Sequence, residues 1–168
     1  MRWFGIAMAL LVGLGQNAPV VAGTAAPVAQ SFEKLKSLVG EWEGLSQDGK
    51  SVRASYRMVS SGSCVMETLN TPDGSDMVTM YRMDGGRSIT MDHYCSMGNQ
   101  PRMRATPAAA ASALDFSYVG ATNLASPSAA HMHHLAMRFD DADHLTHEWT
   151  MRNAGKSQTV IFHFTRRP

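Results

Sequence analysis

From Glu41 to the C-terminus, apolar and polar residues alternate in short runs separated by turn residues, the period expected of strands with one buried face. The breaks fall at Gln47-Asp48-Gly49-Lys50, Ser60-Ser61-Gly62, Thr71-Pro72-Asp73-Gly74, Asp84-Gly85-Gly86 and Asn153-Ala154-Gly155-Lys156. There Gly, Pro, Asn and Asp supply hairpin geometry. The pattern predicts strands over 41–47, 52–59, 64–69, 77–83, 88–94, 103–105, 114–119, 131–139, 144–152 and 159–165. So many short antiparallel strands in one small domain predict an all-β, up-and-down barrel of about eight to ten strands, because closure removes exposed edges.

Ahead of the meander the period changes. Phe32, Leu35 and Leu38 form one apolar stripe, Ser31 is a candidate cap and Glu33 favours the positive end of a helix dipole. A short N-terminal helix is predicted over 31–39, ended by Gly40. Residues 23–30 carry no period and read as a flexible lead-in. The run 107–113, Pro-Ala-Ala-Ala-Ala-Ser-Ala, reads as a loop or a single helical turn.

Residues 1–22 read as an export signal: Arg2, an apolar run from Trp3 to Leu14, and small residues at Val20-Val21-Ala22. The apolar run is shorter than the roughly 20 residues of a membrane-spanning helix. The expectation is a periplasmic or secreted protein that starts near Gly23, has no membrane span after cleavage, and folds as one barrel domain over 31–168. The 168-residue chain carries 15 Lys and Arg against 14 Asp and Glu, which excludes the one-sided field of a nucleic-acid-binding surface. A monomer or a homodimer fits equally.

The helix followed by Gly40-Glu41-Trp42 on the first strand resembles the Gly-x-Trp signature of the lipocalin and calycin barrels. In that superfamily the Trp closes one barrel end under an Arg from the last strand; the resemblance puts Trp42 in that place, with Arg166 or Arg167 over it. Further segments, Leu38-Val39-Gly40-Glu41-Trp42, Val65-Met66-Glu67-Thr68-Leu69, Met77-Val78-Thr79-Met80-Tyr81, His93-Tyr94-Cys95 and Gly98-Asn99-Gln100-Pro101-Arg102-Met103, look like a bacterial family of unknown function with a lipocalin-like fold. That family implies a fold and no particular reaction. Haem-binding barrels of the nitrobindin type are a more distant likeness, and they imply a proximal His on a late strand.

Alternation also predicts what enters the barrel. Ile89 and Met91 carry His93 and Cys95 inward; Leu135, Met137 and Phe139 carry His131 and His133; Leu145, Trp149 and Met151 carry His147. The expected lining is Tyr56, Met58, Met66, Met91, His93, Phe116, Tyr118, His133, His147 and Trp149, with Arg102 as a candidate anchor for a ligand carboxylate. This points first to a binder of a small hydrophobic or amphipathic ligand with one polar end. A second reading makes His93, His133 and His147 ligands of a transition metal or haem, with redox or isomerase chemistry. A third is a metal-free enzyme with His93 or His147 as general base and Arg102 steadying an anion. No local ligand motif such as His-Glu-x-x-His is present. In His131-Met132-His133-His134, strict alternation would separate Met132 from its neighbours and so prevent a compact copper site. The cysteines, Cys64 and Cys95, come out two strands apart and roughly 15 Å or more from each other, which predicts free thiols.

Overall fold

The computed structural model describes residues 25–107 and 112–168. The export segment read over 1–22 therefore lies outside the described residues, as does most of the Ala-rich run. A helix, α1 (Ala25–Ser37), precedes ten strands: β1 (Gly40–Ser46), β2 (Ser51–Val59), β3 (Cys64–Asn70), β4 (Asp76–Asp84), β5 (Ser88–Tyr94), β6 (Gln100–Ala105), β7 (Ala113–Thr122), β8 (His131–Phe139), β9 (His144–Asn153) and β10 (Lys156–Arg166). Each strand pairs antiparallel with the next, and β1 pairs with β10, so the meander closes into a barrel with no free edge.

The helix begins six residues before the expected Ser31 and takes in part of the stretch expected to be a lead-in. Pro27 is tolerated because it sits in the first turn, where its missing N–H costs nothing. Ser31 is an interior, buried residue and not a cap. Val28, Phe32 and Leu35 are buried at helical spacing and press the helix onto β4 and β5. The described helix is too short to cross a membrane.

Strand direction then fixes the two barrel ends. The end holding α1 also holds Trp42, whose indole N–H donates to the Leu38 carbonyl at 2.8 Å. Gly44 lets β1 come close to β10: a Cβ there would stand 2.0 Å from the His163 carbonyl oxygen. The opposite end is formed by the turns after β1, β3, β5, β7 and β9, and among the described residues no helix lies over it. Cys64 starts β3 at the helix end, Cys95 follows β5 at the other, and both are free, as the register predicts.

Two ladders carry an irregularity. The β8–β9 register shifts between Met132 and His134, and the β6–β7 register shifts between Arg102 and Met103. Each inserts an unpaired residue and breaks the two-residue alternation at that point.

Candidate functional site

A cavity of about 340 Å³ opens at the end away from the helix. Its wall is mainly apolar, from Leu69, Met77, Met132, Trp149, Met151 and Phe162. Asp48, Lys50 and Asp73 reach it from the turns, and the Lys50 ammonium is held 2.8 Å from Asp48. Cys95 is part of the wall, with its thiol pKa raised by burial, so it is a poor nucleophile at neutral pH.

His93 is the most informative wall residue. Its ring is 1% exposed, Nδ1 lies 2.9 Å from the Thr79 hydroxyl, and Nε2 has no partner. Burial lowers its pKa to about 4, so the imidazole is neutral at pH 7. Its ring packs against Trp149 with centroids 4.6 Å apart, and the Trp149 indole N–H is also buried without a partner. Two buried, unsatisfied nitrogens thus belong to touching rings of residues that line the cavity.

Deeper in the barrel lies a second group, in which Tyr56, His93 and His147, expected to face inward, are joined by Glu67, Thr79 and Tyr81, which the sequence reading missed. Tyr56, Glu67, Thr79 and His93 are successive register partners across β2, β3, β4 and β5, and all four are buried, so they form one polar row inside the barrel. Tyr81 donates to Glu67 Oε2 at 2.5 Å, and the Tyr56 hydroxyl lies 3.1 Å from His147 Nε2. Burial pushes the Glu67 carboxyl up to about 7 against the opposing hydroxyls of Tyr81 and Tyr56, and holds His147 down to about 3. Glu67 Oε1 and His147 Nδ1 face each other at 3.7 Å, too far for a hydrogen bond, and both lack partners. At neutral pH this is a partly protonated carboxyl beside a neutral imidazole, not an ion pair.

Of the ten residues expected to line the cavity, His93 and Trp149 do so. Tyr56 and His147 lie in the polar row and its opposite wall; Met91 and Phe116 are fully buried core; Met58 packs against that core. Met66 points outward, its sulfur 3.5 Å from Arg57, because Val65 and Leu69 are the inward residues of β3 and carry Glu67 between them. That shared parity of Val65 and Leu69 was the available signal for Glu67.

The expectation for Arg102 is corrected. Pro101, Met103 and Ala105 are the buried residues of β6, so Arg102 faces out and donates to Asp92 at 2.7 Å. His133 is corrected as well. At the β8 irregularity it is Met132, opposite Met151, that lines the cavity, while His133 stacks on Tyr118 with centroids 5.0 Å apart and is not part of the lining. His131 Nε2 lies 3.1 Å from His133 Nδ1 in the same cluster.

The three imidazoles considered as metal ligands are therefore not brought together. Among the described residues, no group of three or more His, Cys, Asp or Glu side chains is placed to hold a metal ion. A haem held by a late-strand His does not fit either: His147 gives Nε2 to Tyr56, His133 stands outside the cavity, and His163 is exposed beside Thr146.

Fold and site together define a closed ten-stranded antiparallel barrel with a plugged end and an apolar cavity at the other. No family model and no curated protein matches the chain. Among solved structures it is similar to Rv2717c from M. tuberculosis, with a TM-score of 0.59 at 16% identity over 84% of this chain and 99% of that one. It is also similar to a protein of unknown function from the DUF3598 family of Nostoc punctiforme, with a TM-score of 0.53 at 14% identity over 80% of this chain and 49% of that one. At such identities the likeness is one of fold.

Proposed function

We propose that the protein is a lipocalin-like carrier that takes a small, mainly apolar molecule with one polar end into the open end of its barrel. The observation that carries this reading is an open, mainly apolar cavity whose lining includes His93 and Trp149, each with a buried ring nitrogen that lacks a partner. A buried polar atom without a partner costs about 1–3 kcal/mol, and a ligand that supplies the partner recovers it. The cavity volume falls at the lower end of the roughly 300–1,000 Å³ typical of small-molecule sites.

The test is saturable binding of the uncharged dye N-phenyl-1-naphthylamine, followed by its fluorescence. One site per protein is expected in the wild type, with loss of binding in Met151→Trp, where the larger ring fills the wall. Absence of saturable binding to the folded wild type would sink the proposal.

We also propose that the protein works after export, with residues 1–22 removed. The support is the charged start, short apolar run and small residues before Gly23. Mass spectrometry of the exported protein is expected to find an N-terminus near Gly23; an intact Met1 in that fraction would refute it.

A further inference from the structure

We infer that the head group received at the His93–Trp149 wall is an uncharged oxygen, a hydroxyl or a carbonyl, and that carboxylates and ammonium ions are rejected. The inference rests on the carrier reading and narrows its ligand class.

The indole nitrogen of Trp149 can only donate, so its missing partner must be an acceptor. An ammonium head only donates and leaves that N–H unpaired. A carboxylate accepts, but a full charge moved into an apolar cavity needs a cation or a dense set of donors to replace its water. The wall provides neither. His93 is neutral, and Lys50, the cation on the lining, is at the rim and already held by Asp48. Arg102, which the sequence offered as a carboxylate anchor, is outside the barrel on Asp92. With Lys50 and Asp48 neutralising each other, the remaining charge on the lining, Asp73, repels an anion at the entrance. Glu67 adds to this from two strands along the same polar row, whenever it is ionised.

An uncharged oxygen meets every requirement. It accepts from Trp149, and the His93 contact follows from which way the Thr79–His93 hydrogen bond runs. If Thr79 donates to Nδ1, Nε2 carries the hydrogen and is a second donor for a ligand oxygen. If Nδ1 donates to Thr79, Nε2 is an acceptor and a ligand hydroxyl donates to it while accepting from Trp149.

Four probes of one chain length separate the head groups: decanol, methyl decanoate, decanoate and decylamine. Each displaces N-phenyl-1-naphthylamine at pH 8, where the acid and the amine are charged. Decanol or methyl decanoate is expected to bind at least about tenfold more tightly than either charged probe, one buried charge or one unmet hydrogen bond being worth that much or more. Decanoic acid is expected to close the gap as the pH is lowered toward its own pKa, where it becomes uncharged. In Trp149→Phe, checked for an unchanged fold by circular dichroism, the preference for the neutral probes over the charged ones is expected to fall about five- to tenfold. Decanoate or decylamine binding as tightly as the neutral probes overturns the head-group inference and leaves the carrier reading intact. Failure of the dye and of all four probes overturns both.

Discussion

The Arg166 guanidinium lies 4.3 Å from the centroid of the Trp42 ring, directly across the β1–β10 ladder from it. Its two terminal nitrogens donate to the Val39 and Ser37 carbonyls at 3.0 and 2.7 Å, at the end of α1 and the turn that follows. One side chain thus ties together the first strand, the last strand and the helix that plugs the barrel. It also satisfies helix-end carbonyls that would otherwise lack partners.

Arg166→Ala is therefore expected to destabilise the protein by roughly 3 kcal/mol, from a partly buried cation–π contact and charge-assisted hydrogen bonds. Arg167→Ala, which breaks an exposed pair with Glu43, is expected to cost less than about 1 kcal/mol. Urea unfolding of the two variants checks this, and equal effects would refute the role assigned to Arg166.

Glu67 gives a pH signature. Its folded pKa of about 7 lies above the unfolded value near 4.3, so the native state binds more protons between those values and stability falls as pH rises through that window. Glu67→Gln removes this dependence. The variant's stability relative to wild type is expected to rise between about pH 4.5 and 7 and then level off, by up to about 3 kcal/mol. His93 and His147 act in the opposite sense, their folded values of about 4 and 3 lying below the unfolded value, so they lose stability as pH falls below about 6.5. Both proteins share that loss, so the difference between their melting curves isolates Glu67. A pH-independent difference would contradict the buried, raised carboxyl.

Cys64 and Cys95 are expected to titrate as two thiols in unfolded, unreduced protein. They are expected to react slowly with a thiol reagent in the native state, because both are buried and burial raises both pKa values. A count of zero after unfolding would require a bridge between opposite barrel ends.

The cavity wall offers a fourth test that needs no ligand. His93→Leu removes an unpartnered nitrogen from an apolar surface, while its loss of the Thr79 contact strands a hydroxyl. These costs oppose each other, so stability is expected to change by less than about 1.5 kcal/mol. Glu67→Leu, which strands the Tyr81 hydroxyl next to it, is expected to cost clearly more. Similar losses in chemical denaturation would mean that His93 is tied into the core and is not poised at a cavity.

The barrel was legible in the sequence because its determinants are local: alternation, turn residues, and an amphipathic helix ahead of Gly40-Glu41-Trp42 report backbone geometry within a few residues. The inward placement of His93, His147 and Trp149 followed from the same parity, since β5 and β9 run without a shift. What parity could not supply is a break in its own period. The irregularity between Met132 and His134 brings Met132 into the cavity lining against the parity of its strand, and it shows only in the pairing of β8 with β9. For Arg102 the predicted strand over 103–105 is too short to fix a face, whereas the observed strand begins at Gln100 and turns Arg102 outward. Glu67 escaped notice because a carboxylate in a strand ordinarily marks the solvent side; it is buried because Val65 and Leu69 must be, and Tyr81 from the next strand receives it. The position of the cavity belongs wholly to tertiary structure. Alternation says which side chains point inward, but only the packing of the helix across one end, with no described helix across the other, decides where inward-pointing side chains fill the space and where they leave it open.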